Sequence, residues 1–110
     1  MGVTKTAHFT AKQIKLSNMA KALGHPARMA ILEHLLKSPS CICNDLVNEL
    51  PLAQPTISQH LKELKNAGWI KGSIEGNAIC YCIDQKALHA FQNYLASLNE
   101  KLSLIQTNCC

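Results

Sequence analysis

Apolar residues recur along this chain with two periods, and the change from one to the other separates helices from a hairpin. Leu16, Met19, Ala20 and Leu23 fall at i, i+3, i+4 and i+7, one face of a helix. Gly24 suits the position just past that helix, and Pro26 the first turn of the next. The second helix carries Met29, Leu32, Leu35 and Leu36 and stops by Lys37, before Pro39. Cys41-Ile42-Cys43 is too short for a helix and reads as a brief extended segment. Asn44 or Asp45 caps a short helix through Leu46, Val47 and Leu50, and Pro51-Leu52-Ala53 makes a tight turn. The next helix has Pro55 in its first turn, an apolar stripe of Ile57, Leu61 and Leu64, and Gly68 at its end.

The period then drops to two. Trp69 to Ile74 predicts a strand, Glu75-Gly76-Asn77 a turn, and Ala78 to Ile83 a return strand with Ile79, Tyr81 and Ile83 on one face. From Lys86 to about Ile105 helical spacing resumes. Leu88, Phe91, Leu95, Leu98, Leu102 and Ile105 step by 3, 4, 3, 4, 3, which is a coiled-coil-like stripe. The order predicts one domain over residues 1–110, mainly α with a β-hairpin: a helix-turn-helix at about 44–66, a wing at about 69–83 and a dimerisation helix at about 86–105. Six apolar residues in the last stripe exceed what one side of a small core needs, so a partner chain should cover part of it.

The polar side of the 54–65 helix carries the candidate chemistry. Gln54, Thr56, Ser58, Gln59, His60 and Lys62 lie outside or beside its apolar stripe, and they are side chains that reach base edges and phosphates in a major groove. Gln59 can take adenine bidentately, while Thr56, Ser58 and Lys62 suit phosphate oxygens. A hairpin directly after such a helix makes a winged helix, whose tip touches DNA beside the recognition helix. Lys71 and Asn77 fall near that tip, and Glu75 there is unfavourable beside phosphate.

Composition narrows the class. Of 110 residues, 47% are hydrophobic and 16% charged, which excludes a highly charged disordered chain. No apolar run approaches the roughly 18 residues that span a bilayer, and the N-terminus has no secretory stretch, so the expected location is cytoplasmic, with no membrane partner. The net charge of +4 is unevenly placed: Lys5, Lys12, Lys15, Lys21, Arg28 and Lys37 face only Glu33 within the first forty residues. That bias suits a polyanion.

The segments Leu23-Gly24-His25-Pro26-Ala27-Arg28-Met29-Ala30-Ile31-Leu32, Gln54-Pro55-Thr56-Ile57-Ser58-Gln59-His60-Leu61-Lys62-Glu63-Leu64 and Ala67-Gly68-Trp69-Ile70 resemble the ArsR/SmtB family of bacterial repressors, over about residues 16–98. The resemblance implies a winged helix-turn-helix homodimer, joined through its first and last helices, that binds double-stranded operator DNA and is released by a metal or metalloid ion. It implies no enzyme. Many relatives have Ser before the Gln-Pro pair where this chain has Ala53, which removes a helix cap worth about 1 kcal/mol.

Six cysteines form three pairs: Cys41/Cys43, Cys80/Cys82 and Cys109/Cys110. Residues two apart in a strand face the same way, about 7 Å apart, so the first two pairs can each present two thiols to one side. In winged helices the segment before the third helix commonly pairs with the second hairpin strand, which brings the two pairs into one thiolate cluster. Such a cluster selects soft ions: zinc, cadmium or copper(I), and trivalent arsenic by the same softness. Several relatives bind such ions through a Cys-x-Cys directly before the Asp-Leu of the third helix. Here Asn44 intervenes, and Cys41 and Cys43 sit one position earlier. The Asp and His of the zinc site that some relatives carry on the last helix are replaced by Gln85 and Ala87. Cys109/Cys110 can complete a site from the chain end or stay unemployed.

The alternatives are packing cysteines, a redox or reactive-sulfur switch on the same thiols and, in another class, a small thiol or metal-carrier protein. Against the last stand the absence of a Cys-x-x-Cys and of a phosphate-binding glycine loop. His8, His34 and His89 lack partners at ligand spacing, and His25 fits a helix cap.

Overall fold

The computed structural model describes residues 8–37, the strand 42–43, and residues 50–73 and 80–105. Its elements in chain order are α1 (Ala11–Leu23), α2 (Pro26–Leu36), β1 (Ile42–Cys43), α3 (Gln54–Asn66), β2 (Ile70–Ser73), β3 (Cys80–Ile83) and α4 (Gln85–Ser103). The expected short helix over 44–50 and the wing tip, with Glu75, Asn77 and Ile79, lie outside the described residues, apart from Leu50.

Local chemistry sets the helix starts. Thr10 and Gln13 form a reciprocal capping box on α1, each side chain accepting the other's backbone N–H at 3.0 Å. His25 caps α2, its Nδ1 accepting the Ala27 N–H at 3.0 Å, with Pro26 at the first helical position. Asp84 caps α4 by accepting from the N–H groups of Lys86 and Ala87. α3 starts at Ala53 with no side-chain cap.

The three strands form one antiparallel sheet in the order β1-β3-β2. α1, α2, α3 and the sheet enclose a core of Leu16, Met19, Ile31, Leu35, Ile57, Leu61, Leu64, Trp69, Ile70 and Tyr81. Trp69 meets Phe91 of α4 in a tilted ring pair at 5.1 Å. Gly72 has φ of +127°, and a Cβ there would collide with the Cys80 carbonyl and the Tyr81 backbone. Only glycine lets β2 approach β3 so closely.

Two expectations about buried faces need correction, those for α1 and α2. α1 buries Ala22, and Ala20 is exposed. α2 buries Ile31 with Leu32 and Leu35, leaving Met29 and Leu36 about half exposed. α2 packs against α1, α3 and β3, so its buried arc follows three neighbours rather than one stripe. On α4 only Ala87 is fully buried, with Leu88, Phe91 and Tyr94 packed against the core, while Leu95, Leu98 and Leu102, and Ile105 just past the helix end, are exposed.

Candidate nucleic-acid interface and the neighbouring thiols

α3 separates two chemistries around its axis. Ile57, Leu61 and Leu64 point into the core, each 1% exposed or less. Gln54, Thr56, Gln59 and Lys62 are exposed, and Ser58 is half-buried. Two bonds run along the polar side at i, i+4 spacing: Gln54 Nε2 donates to Ser58 Oγ, and Gln59 Nε2 to Glu63 Oε1, both at 3.2 Å. The uncapped start at Ala53 leaves the first backbone N–H groups of α3 open to an acceptor such as a phosphate oxygen.

His60 departs from the sequence expectation. It is only 8% exposed and belongs to the inner side of α3, not to the polar face. Its Nδ1 accepts from Arg28 Nε at 3.1 Å, and its ring lies 4.5 Å from that of His25, tilted by 54°. Arg28 Nη1 donates to the Ala22 carbonyl of α1 at 3.1 Å. Burial first, then the charges of His25 and Arg28, lowers the His60 pKa below its ordinary 6.5. Sequence spacing gives no sign of Arg28 as a site residue, because no local pattern connects it with a residue 32 positions away.

On the hairpin, Lys71 is exposed on β2, opposite Cys82 of β3. Asn77 lies outside the described residues, as do Cys41, Cys109 and Cys110. The β1·β3 register pairs Cys43 with Cys80 and Ile42 with Tyr81. Tyr81 is buried, while Cys80 and Cys82, one residue to either side, are half-buried on the opposite face of β3. Cys80 is disulfide-bonded, and Cys82 keeps its thiol. Among the described residues, no group of three or more His, Cys, Asp or Glu side chains is arranged to hold a metal ion.

A second surface lies between α1 and α4. Phe9, Ile14, Ser17, Phe91 and Tyr94 line a groove of about 670 Å³, and the exposed Leu95, Leu98 and Leu102 lie further along α4. No helix among the described residues is long and apolar enough to cross a membrane.

Residues 25–71, from the cap of α2 through α3 into β2, match the bacterial regulatory protein arsR family. An HTH-type transcriptional regulator of Methanocaldococcus jannaschii is 42% identical over 73 residues, 66% of this chain and 81% of that protein. The arsenical resistance operon repressor of Staphylococcus xylosus is 32% identical over 94 residues, 86% of this chain and 83% of the relative. The chain belongs to the ArsR family. An ArsR-like transcriptional regulator from Rhodococcus sp. RHA1 shares the fold, with a TM-score of 0.70 at 21% identity over 86% of this chain and 88% of that one. In this ArsR-family chain, Arg28, His60 and the exposed face of α3 all fall within the matched segment.

Proposed function

We propose that this ArsR-family chain is a cytoplasmic, DNA-binding transcriptional repressor that acts as a homodimer on double-stranded operator DNA. The observation that carries the reading is the division of α3 into a core-anchored side and an exposed side bearing Gln54, Thr56, Gln59 and Lys62. An anchored helix presents those groups in a fixed geometry, which base-edge recognition requires. The apolar side chains exposed on α4 and the groove against α1 favour a second copy as their cover. A two-fold pair of α3 helices would read half-sites about 34–36 Å apart, so the operator is an inverted repeat.

The proposed inducer is a thiophilic ion, such as arsenite or cadmium, taken by Cys41 and Cys43 with Cys80 and Cys82 as further donors. The Cys43–Cys80 register supports this set, because directly opposed residues of an antiparallel pair lie about 5 Å apart. The Staphylococcus xylosus relative is a repressor of an arsenical resistance operon. The disulfide at Cys80 favours a second reading, release by oxidation. Two thiols then give their hydrogens to a peroxide, forming one disulfide and two waters. The two states exclude each other at Cys80, since an ion needs the thiolate that the disulfide consumes.

The test is retardation of the chain's own upstream DNA, titrated with arsenite, cadmium, zinc and peroxide under reducing and non-reducing conditions. Release by one ion under reducing conditions supports the metal reading, and release by peroxide alone the redox reading. No retardation removes the repressor reading and leaves a thiol or metal carrier. Replacing Cys41 and Cys43 by Ser should abolish release and preserve DNA binding.

A further inference from the structure

We infer that neutral His60 is a positioning residue that locks the DNA-reading helix to the start of α2 through Arg28, so that protonating it loosens operator binding. The inference rests on the DNA-binding reading above. A guanidinium has donors and no acceptor, so the nitrogen that receives the Arg28 Nε–H must be unprotonated. His60 is therefore neutral while this bond exists, with its proton on Nε2.

One guanidinium joins three helices. Arg28 belongs to the first turn of α2, donates to Ala22 in the last turn of α1, and donates to His60 in the middle of α3. His25, which caps α2, closes the cluster by lying against the His60 ring. Gln59 and Lys62, on the exposed side of α3, stand one and two residues from His60. A shift of the His60 anchor therefore moves the reading groups with it.

The surroundings give protonation a direction. From α2, His60 meets Arg28 and His25, both of which disfavour an imidazolium, as burial does. α1 and β2 also pack on α3, but their Lys21 and Lys71 are exposed. Within α3, the Glu63 carboxylate is engaged by Gln59. A proton on Nδ1 replaces the acceptor with a donor and sets two cations against each other, so the Arg28 bond is lost. A histidine contacting phosphate behaves in the opposite way, because its added charge strengthens DNA binding on acidification.

The experiment uses the full chain and a duplex that it selects from a random pool at pH 7.5, with affinity measured from pH 7.5 to 5.0 at constant ionic strength. The wild type should weaken on acidification, by up to about tenfold for each pH unit below the His60 pKa. The carbonyl oxygen of Asn stands near the place of Nδ1 and accepts without titrating, so His60→Asn should bind like wild type at pH 7.5 and keep a flat profile below it. Wild-type affinity that is constant or rises on acidification overturns the inference, as does a parallel loss in His60→Asn. Should His60→Asn fail to fold, nitrogen-15 imidazole spectra of the wild type decide: an Nε2–H tautomer at pH 7.5 sustains the inference, and an Nδ1–H tautomer overturns it. A wild type that selects no duplex at pH 7.5 brings down the DNA-binding reading itself, and the inference with it.

Discussion

The indole N–H of Trp69 donates to the main-chain carbonyl of Met19 over 2.7 Å, joining the residue before β2 to the middle of α1. Trp69 is 1% exposed and Met19 fully buried, so the bond lies in the core. It spans 50 positions of sequence and ties the hairpin to the helix that lines the α1/α4 groove. Trp69→Phe keeps most of the buried ring and deletes the donor. Thermal unfolding should show a loss of about 1–2 kcal/mol. Trp69→Ala should lose about 3–5 kcal/mol, because it also opens a cavity against Phe91.

Gly72→Ala places a methyl group against the Cys80 carbonyl at a φ that side chains rarely adopt. The strain of such a residue is about 1–3 kcal/mol before the collision is counted, so β2 should peel away from β3. Faster hydrogen exchange at the Cys82 and Asp84 amides, which face β2, than in wild type would report it. Unchanged exchange would mean that the hairpin accommodates the methyl group.

Ala53→Ser supplies the side-chain acceptor that α3 lacks. The backbone at position 53 is already extended, with φ −71° and ψ 152°, as a capping residue requires. Chemical denaturation should show a gain of about 1 kcal/mol with an unchanged m-value.

Replacing Leu95 and Leu98 together by Ser removes apolar surface that is exposed in the single chain, so the fold itself should lose little. Sedimentation should give a dimer for the wild type and a monomer for the variant, with the same helical circular dichroism. A variant that remains dimeric would place the interface elsewhere.

Gln59→Ala and Lys62→Ala should differ in kind. Loss of the amide should weaken binding to the preferred duplex by about 1–3 kcal/mol and leave non-specific binding unchanged. Loss of the ammonium should weaken all duplexes alike and make the salt slope shallower by about one unit for each phosphate that Lys62 neutralises.

His60 also makes stability depend on pH. Its pKa is lower in the folded chain than the ordinary 6.5, so the unfolded state binds more protons as pH falls through that range. Its contribution is present above pH 6.5 and is lost as pH drops towards the folded value. His60→Asn should show a smaller drop in melting temperature than wild type between pH 7.5 and 5.

The helices, the wing strands and the apolar anchors of α3 are legible in the sequence because periodicity is a property of each segment's own geometry. Ile57, Leu61 and Leu64 recur at the helical period, and the structure buries all three. His60 stands three residues after Ile57 and shares that period. Its polarity points to an outward position, and only Arg28, arriving from α2, makes it an inward residue. Gly72 signals a close approach only in the general way of any glycine within a strand.

By itself, the sequence determined where backbone periodicity, caps and turn residues act, because those forces reach only a few positions along the chain. The tertiary structure decided which faces are covered. α2 buries Ile31 and exposes Met29 because α1, α3 and β3 surround it unevenly. The α4 stripe runs unbroken in sequence, but only Leu88 and Phe91 among its six residues meet this chain's core. The pairing of Cys43 with Cys80 and the bond from Arg28 to His60 likewise arise only on folding, where residues distant in the chain come within reach of short-range forces.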